Sequence, residues 1–273
     1  MSRRNRRRSA RGDSKVTKGL AMLVIAALLA GIGFLFYLNV TTKVIKLDQN
    51  TMCRIGEPAS NVYAVLIDST EALPRKSAAQ ALIKVKNLLS NAPVNSKITL
   101  YAIQNGNENH VLPVAEICKP DSADGANELT SNPRYIQEQF DNGFLMPLEK
   151  HLEQLIHAGP SSTSPIIESL QSTVIESFEK ISSTGSNQIV VISDMIQNSN
   201  LYSFYQQKPN YEQYKRLSRE SGLGIINLNG IRVDLYIVPR PTPKGSREDL
   251  IKFWSEFLQD NGAAMGSSLE PLS

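Results

Sequence analysis

An apolar segment that ends abruptly in oxygen-bearing side chains constrains the fold of this chain more than any other feature. The segment, VYAVLI at residues 62–67, is followed at once by Asp68, Ser69 and Thr70. Runs of this length that are rich in Val and Ile and bounded by polar residues predict strands buried on both faces, as in a parallel sheet. Open α/β sheets bind ligands beyond the carboxyl ends of such strands. Asp68 is therefore a candidate ligand-binding residue.

A second segment of the same kind, QIVVIS at residues 188–193, ends at Asp194. The carboxyl ends of parallel strands meet at one edge of the sheet, so we expect Asp68 and Asp194 to lie at the same edge. Carboxylates brought together in this way favour a divalent cation, which takes oxygen ligands. The alternative is a scaffold descended from one that bound a cation.

Predicted strands and helices alternate along the chain. Apolar residues at three- and four-residue spacing predict helices over residues 78–89, 145–155, 167–181 and 250–257, and further strands are expected at 97–103, 111–117 and 232–238. This alternation predicts an α/β fold, a doubly wound, mostly parallel sheet in a three-layer, Rossmann-like arrangement. The close spacing of the second and third strands predicts one antiparallel edge strand.

The N-terminus predicts a membrane anchor. Residues 1–18 carry eight basic residues and one acidic residue, a net charge of +7, and residues 19–40 contain no charge. An apolar stretch of roughly 20 residues is long enough to cross a bilayer as a helix. A cleavable signal peptide has an apolar region of roughly 7–15 residues and a small-residue cleavage site, and neither is found here. We expect a single-pass, uncleaved transmembrane helix.

The charge distribution predicts the orientation of this helix. The basic residues 1–18 should stay in the cytoplasm, which places the following domain in the periplasm of a bacterial inner membrane. Such a tail also suits nucleic acid or anionic lipid, but beside an anchor it serves as a topology signal. The remaining residues have 21 basic and 25 acidic side chains, so no nucleic-acid partner and no small-molecule substrate are expected.

Two cysteines fit an exported domain. Cys53 precedes the first strand and Cys118 ends the predicted edge strand, so both are expected at the edge opposite the aspartates. A disulfide is geometrically conceivable there, and two free buried thiols are the alternative. The expected organisation is a cytoplasmic tail (1–18), an anchor (19–40), a linker (41–60), a domain (61–262) with an insertion (195–231), and a flexible C-terminal tail (263–273).

The order of these features resembles the von Willebrand factor A domain over about residues 60–262. That family binds a metal ion, usually magnesium, through the motif Asp-x-Ser-x-Ser, a threonine from a later loop and an aspartate after the fourth strand. The resemblance implies that Asp68, Thr70, Thr163 and Asp194 hold Mg²⁺ or Mn²⁺, with Thr70 in place of a serine. Ala72 departs from the pattern where the third hydroxyl belongs, which implies a weak, degenerate site with water in that position.

The resemblance also implies a function. Domains of this family associate with other proteins, whose carboxylate completes the metal coordination, so we expect a membrane-anchored interaction module in an envelope or secretion-type complex. Aromatic residues are enriched at interface cores, and the insertion supplies candidate contacts at Tyr202, Phe204 and Tyr205. No catalytic residue is expected.

Two other functions remain open. The Asp68-Ser69-Thr70 sequence also resembles the nucleophile motif of haloacid-dehalogenase-type phosphotransferases, in which Asp194 would hold magnesium. No clear lysine motif of that class is present, and Thr163 would have no role. The third hypothesis is a metal-free structural scaffold in a membrane complex.

Overall fold

A computed structural model describes residues 13–41, 46–104, 111–122, 132–156, 159, 161–181, 183–264 and 266–272. The chain divides into two compact units, Met1–Ile45 and Lys46–Ser273. The first 12 residues of the predicted basic tail (1–18) lie outside the described residues.

The first unit contains one helix, α1 (Asp13–Thr41). Within it, Lys18–Tyr37 is long and apolar enough to cross a membrane, and no other described helix is. Its apolar side chains are exposed to the surroundings rather than packed in a core, as the prediction of a membrane anchor requires.

The second unit is built on a six-stranded sheet. Its strands are β1 (Val62–Asp68), β2 (Lys97–Ile103), β3 (Pro113–Cys118), β4 (Asn187–Ser193), β5 (Ile231–Ile237) and β6 (Ser268–Pro271). Their order is β3-β2-β1-β4-β5-β6. All neighbours are parallel except β2 and β3, which are antiparallel. The predicted fold class, with one antiparallel edge strand, is confirmed.

Helices cover both faces of this sheet. They are α2 (Arg75–Ser90), α3 (Pro133–Phe140), α4 (Met146–Ile156), α5 (Ile166–Val174), α6 (Tyr211–Ser221) and α7 (Arg247–Asp260), with π-helical segments at Asp141–Leu145 and Ile175–Glu179. One hydrophobic cluster joins α5, α6 and α7 to the sheet, and the other joins α2 and α4 to it. Every residue of β1 is buried between the two clusters, which explains its continuous apolar sequence.

Local sequence signals define where the key helices begin. Proline at position 74 immediately precedes α2, and its fixed backbone φ suits the start of a helix. Ser246 and Asp249 form a capping box at the start of α7, in which each side chain accepts a hydrogen bond from the other residue's backbone N–H. Both signals stand directly before a run of apolar residues at helical spacing, so the boundaries follow from the sequence.

The predicted flexible tail over residues 263–273 is wrong. Residues 268–271 form β6 and pair in parallel with β5, and Leu272 is buried. Side-chain contacts hold this strand in place. The Ser268 hydroxyl donates to Asp234 Oδ1 at 2.8 Å, and Lys84 forms an ion pair with Glu270.

The predicted linker over residues 41–60 is wrong from residue 46 onward. These residues belong to the folded unit because they are bound to the edge of the sheet. The backbone N–H of Cys118 donates to Thr51 O at 2.7 Å, and Cys53 forms a disulfide with Cys118, their Cα atoms 4.7 Å apart. Cys118 pairs with Lys97 at the start of β2. The disulfide therefore lies at the edge of the sheet opposite the end of β1.

The segment 195–231 is a packed connection rather than an insertion that presents aromatic side chains. It contains α6, and Tyr202 and Phe204 are almost fully buried against Phe253 of α7. The expectation that these two residues contact a partner is therefore wrong, because a buried ring has no surface to offer. Tyr205 is different, since 46% of it is exposed.

Candidate functional site

Asp68 lies at the carboxyl end of β1, where its carboxylate joins three segments of the chain. Its Oδ1 accepts hydrogen bonds from the backbone N–H of Thr70 at 3.0 Å and from the Thr70 hydroxyl at 2.5 Å. Its Oδ2 accepts from the hydroxyls of Ser164 at 3.0 Å and Ser193 at 2.8 Å. The residue is only 6% exposed. Asp68 thus ties the end of β1 to the end of β4 and to the loop before α5.

The loop before α5 brings Thr163 to the same place. The backbone N–H of Ser161 donates to Thr70 O at 2.7 Å, and Ser164 contacts Asp68 as described above. Among the residues that the structure describes, the buried Oγ1 of Thr163 has no hydrogen-bond partner. A buried hydroxyl without a partner is costly, so this atom marks a position that a ligand or a water can satisfy.

Asp194 follows β4 directly, and the backbone immediately after it has an unusual conformation. The next residue, Met195, has a φ of 63°, in the left-handed region that non-glycine residues seldom adopt. Its neighbours hold this conformation in place. Met195 N donates to Ser193 Oγ at 2.9 Å, and the buried indole of Trp254 donates to Met195 O at 2.9 Å. Strained backbone that the surroundings fix in this way is characteristic of functional sites.

The surroundings of the Asp194 carboxylate disfavour its negative charge. Burial, together with the negative charge of Asp68, raises its pKa to about 7, although hydrogen bonds from the backbone N–H of Ile196 and from Ser193 act in the opposite direction. Two carboxylates in so small a space disfavour a second negative charge. A cation placed between them relieves this cost.

A cationic side chain that the sequence analysis missed lies at this position. The guanidinium of Arg240 forms ion pairs with Glu71 and, through Nε at 3.5 Å, with Oδ2 of Asp194. Arg240 follows β5 by three residues, so it stands at the same edge of the sheet as Asp68 and Asp194. The rule that located the two aspartates at the ends of strands would also have located Arg240. We refer to Asp68, Glu71 and Asp194 together as the acidic rim.

The residues present match the oxygen ligands that a hard divalent cation prefers. Asp68 and Asp194 offer carboxylates, Thr70 offers a hydroxyl, and Thr163 offers a buried hydroxyl that has no other partner among the described residues. Asp68, Thr70 and Asp194 line one small cleft, and Thr163 stands next to Ser164, whose hydroxyl donates to Asp68. Ser69 does not take part, because its hydroxyl donates to Leu155 O at 2.9 Å.

A larger cavity of about 420 Å³ lies beside α5 and the loop after β4. Its lining includes Glu168, whose carboxylate already accepts hydrogen bonds from the Ser199 hydroxyl at 2.5 Å and from Gln197 Nε2 at 2.8 Å. Glu168 therefore serves to hold the loop after β4, and the other acidic residue of the lining, Glu176, forms an ion pair with Lys180 at 2.6 Å. The acidic rim is the better candidate site, because the Asp194 carboxylate there is buried beside the charge of Asp68 and the nearby loop before α5 carries the buried Thr163 hydroxyl, which has no partner among the described residues.

No family model matches the sequence, and no curated protein matches it. Solved structures similar to the chain include an aerotolerance-related membrane protein from Bacteroides fragilis, at 13% identity and a TM-score of 0.41, with 78% of this chain and 91% of that chain covered. The conserved hypothetical protein BatB from Bacteroides thetaiotaomicron gives 12% identity and a TM-score of 0.40, with coverages of 78% and 90%. The manganese-loaded TRAP protein from Plasmodium vivax gives 7% identity and a TM-score of 0.37, with coverages of 79% and 68%. Similarities this low carry no conclusion about the function of this chain.

Proposed function

We propose that this chain is a membrane-anchored interaction module of the von Willebrand factor A type, whose acidic rim contacts a partner protein in an envelope or secretion-type complex. The observation that carries the proposal is the meeting of Asp68, Thr163 and Asp194 at one edge of the sheet. The Ser164 hydroxyl, next to Thr163, donates to Asp68 at 3.0 Å, and the charge of Asp68 acts on Asp194. This is the arrangement that the resemblance implies.

Tyr205 supplies an exposed aromatic surface beside the rim. Burial of its hydroxyl, and then the negative charges of Asp194 and Asp68, raise its pKa. The hydroxyl therefore lies within electrostatic reach of both carboxylates, while 46% of the residue is exposed. Tyrosine is enriched in protein interfaces because it combines a large apolar ring with a polar end. Of the three aromatic residues expected to contact a partner, Tyr205 keeps that role in the proposal.

A divalent cation is part of the proposal. Asp68, Thr70, Thr163 and Asp194 are the residues that would hold Mg²⁺ or Mn²⁺, and the bound ion would offer a coordination position to a carboxylate of the partner. Asp68 is oriented for this role by the hydrogen bonds that it accepts from Ser164 in the loop before α5 and from Ser193 of β4. The phosphotransferase alternative is less favoured, because the sequence has no clear lysine motif of that class and Thr163 would have no role in it.

Site-specific photo-cross-linking tests the interaction. A photoreactive phenylalanine analogue placed at residue 205 of the full chain, in cells of the native host, is expected to yield a discrete adduct of higher mass. The control places the same analogue at residue 55, where Ile55 is 64% exposed in the segment next to Cys53, at the opposite edge of the sheet. No adduct at residue 205, or an equal yield at residue 55, would refute a partner at the acidic rim.

We propose further that α1 anchors the domain on the periplasmic side of the inner membrane. The basic residues 1–18 should remain in the cytoplasm. Alkaline phosphatase fused after the last residue of the full chain in a Gram-negative host is expected to be active, since this enzyme folds only after export. A cytoplasmic reporter fused at the same position should be inactive. The reverse pair of results would place the domain in the cytoplasm.

A further inference from the structure

The three nitrogen atoms of the Arg240 guanidinium all engage the residues expected to surround a metal. Its Nε lies 3.5 Å from Asp194 Oδ2, its Nη1 pairs with Glu71, and its Nη2 donates to Ala72 O at 3.0 Å. Ala72 is the residue that departs from the metal-binding pattern of the A domain. Ala72, which lacks the hydroxyl of the family motif, is therefore also the residue whose backbone carbonyl accepts a hydrogen bond from Arg240.

The backbone holds Arg240 in this place. It is flanked by Pro239 and Pro241, so the backbone φ on either side is fixed and Arg240 itself is restricted to an extended conformation. The preceding Val238 continues the pairing beyond β5, because its N–H donates to Ser193 O at 2.8 Å. This restricted backbone holds the Cα of Arg240 at the edge of the sheet that carries the acidic rim. The planar fork of donors on its guanidinium also suits carboxylates.

The space beside the guanidinium is too small for a hydrated metal ion. The acidic rim, Thr70 and Arg240 line a cleft that is open to solvent and has a volume of about 10 Å³, which is about the room that one water needs. Magnesium is octahedral and keeps several of its waters. Because Arg240 Nε already lies 3.5 Å from Asp194 Oδ2, the guanidinium and a divalent cation would compete for the same carboxylate.

We propose that the guanidinium of Arg240 is the resident cation of the acidic rim, and that a divalent cation binds there only when this guanidinium moves away. The inference rests on the proposed metal site of the same rim. It explains a weak site by competition from a side chain of the chain itself, in addition to the missing hydroxyl at Ala72. The arginine is a positioning residue, since it holds Glu71, Ala72 and Asp194 together when no metal is bound.

Metal titrations of the full chain in detergent test this competition. Mn²⁺ binding is followed by the loss of the electron paramagnetic resonance signal of the free ion, and Mg²⁺ binding by calorimetry. Arg240→Ala is expected to bind both ions at least about tenfold more tightly than the wild type, because the metal no longer has to displace a guanidinium from the carboxylates. Arg240→Lys keeps the charge but lacks the planar fork, so its affinity should lie between the two.

Arg232→Ala is the matched control. Arg232 also forms an ion pair with an aspartate of the sheet, Asp234 at 3.2 Å, but near the other end of β5, so its loss should leave the metal affinity unchanged. Should Arg240→Ala fail to fold, as reported by Trp254 fluorescence, Arg240→Gln removes the charge and keeps a donor. Equal affinity of the wild type and the uncharged variant overturns the inference. Absence of binding in every variant overturns it together with the metal part of the proposed function, while cross-linking at residue 205 still decides the interaction.

Discussion

Replacement of Asp68 by alanine is expected to lower the free energy of unfolding by about 3 kcal/mol in the absence of metal. The carboxylate accepts four hydrogen bonds, from the backbone and hydroxyl of Thr70 and from the hydroxyls of Ser164 and Ser193. Hydrogen bonds to a charged group contribute about 1.5–3 kcal/mol each. Two effects reduce the net loss in the free energy of unfolding. The repulsion between Asp68 and Asp194 disappears, and the freed hydroxyls rotate toward other acceptors.

Denaturant unfolding of the full chain in detergent measures this change. Trp254 is the single tryptophan of the chain and is fully buried, so its fluorescence reports on the domain alone. Asp121→Ala is the control, because the Asp121 side chain is 65% exposed and its ion pair with Arg54 spans 3.7 Å. Such surface pairs contribute little. If Asp68→Ala were as stable as the wild type, the carboxylate would not hold the fold together and its conformation would depend on a ligand.

The sheet was predictable from the sequence because burial on both faces leaves a simple signature. β1 and the centre of β4 are short runs of apolar residues rich in Val and Ile, a length and composition that favour a buried strand over a helix. β6 left no such signature. Its residues are only partly buried and pair with one neighbour, β5, so their sequence lacks the pattern of a central strand. Contacts with Asp234 and Lys84 place it instead, and these are distant in sequence.

The aromatic residues after β4 show why side-chain exposure was harder to predict. Tyr202, Phe204 and Tyr205 stand within four positions of the chain, yet the first two are buried and the third is 46% exposed. The amino-acid composition of a segment does not show whether an aromatic ring is buried in the core or exposed on the surface. The difference arises from α7, because Phe253 stacks on Tyr202 with ring centroids 5.9 Å apart. That packing is fixed by tertiary structure, which the local sequence does not encode.

The candidate site was also predictable from the sequence only in part. Asp68 and Asp194 were located because each follows a strand of recognisable type, and topology brings the ends of parallel strands together. Arg240 follows β5 in the same manner but was overlooked, because a cation is not expected among metal ligands. Its position between Glu71 and Asp194 depends on two ion pairs that join segments far apart in sequence.

The N-terminal segment of the domain is joined to the edge of the sheet by hydrogen bonds and by one covalent bond, to Cys118 of β3. Asp48 accepts hydrogen bonds from the N–H groups of Asn50 and Thr51 and so shapes a turn. The backbone of Thr51 accepts from Cys118 at 2.7 Å. The disulfide between Cys53 and Cys118 closes a loop with a sequence separation of 65 residues, which includes β1, α2 and β2. A long closed loop restricts the unfolded chain strongly.

Loss of this disulfide is therefore expected to have the largest effect on stability. The chain-entropy relation for a closed loop of this length gives about 4 kcal/mol, which corresponds to a fall in melting temperature of roughly 10 °C for a domain of this size. The double variant Cys53→Ser/Cys118→Ser, measured by Trp254 fluorescence on heating, should show this fall, and added reductant should lower the melting temperature of the wild type but not that of the variant. Mass spectrometry of non-reduced, alkylated protein from an exporting host should show a peptide that links Cys53 and Cys118. Two fully alkylated thiols, with equal melting temperatures for the wild type and the variant, would mean that the N-terminal segment is held by its backbone hydrogen bonds alone.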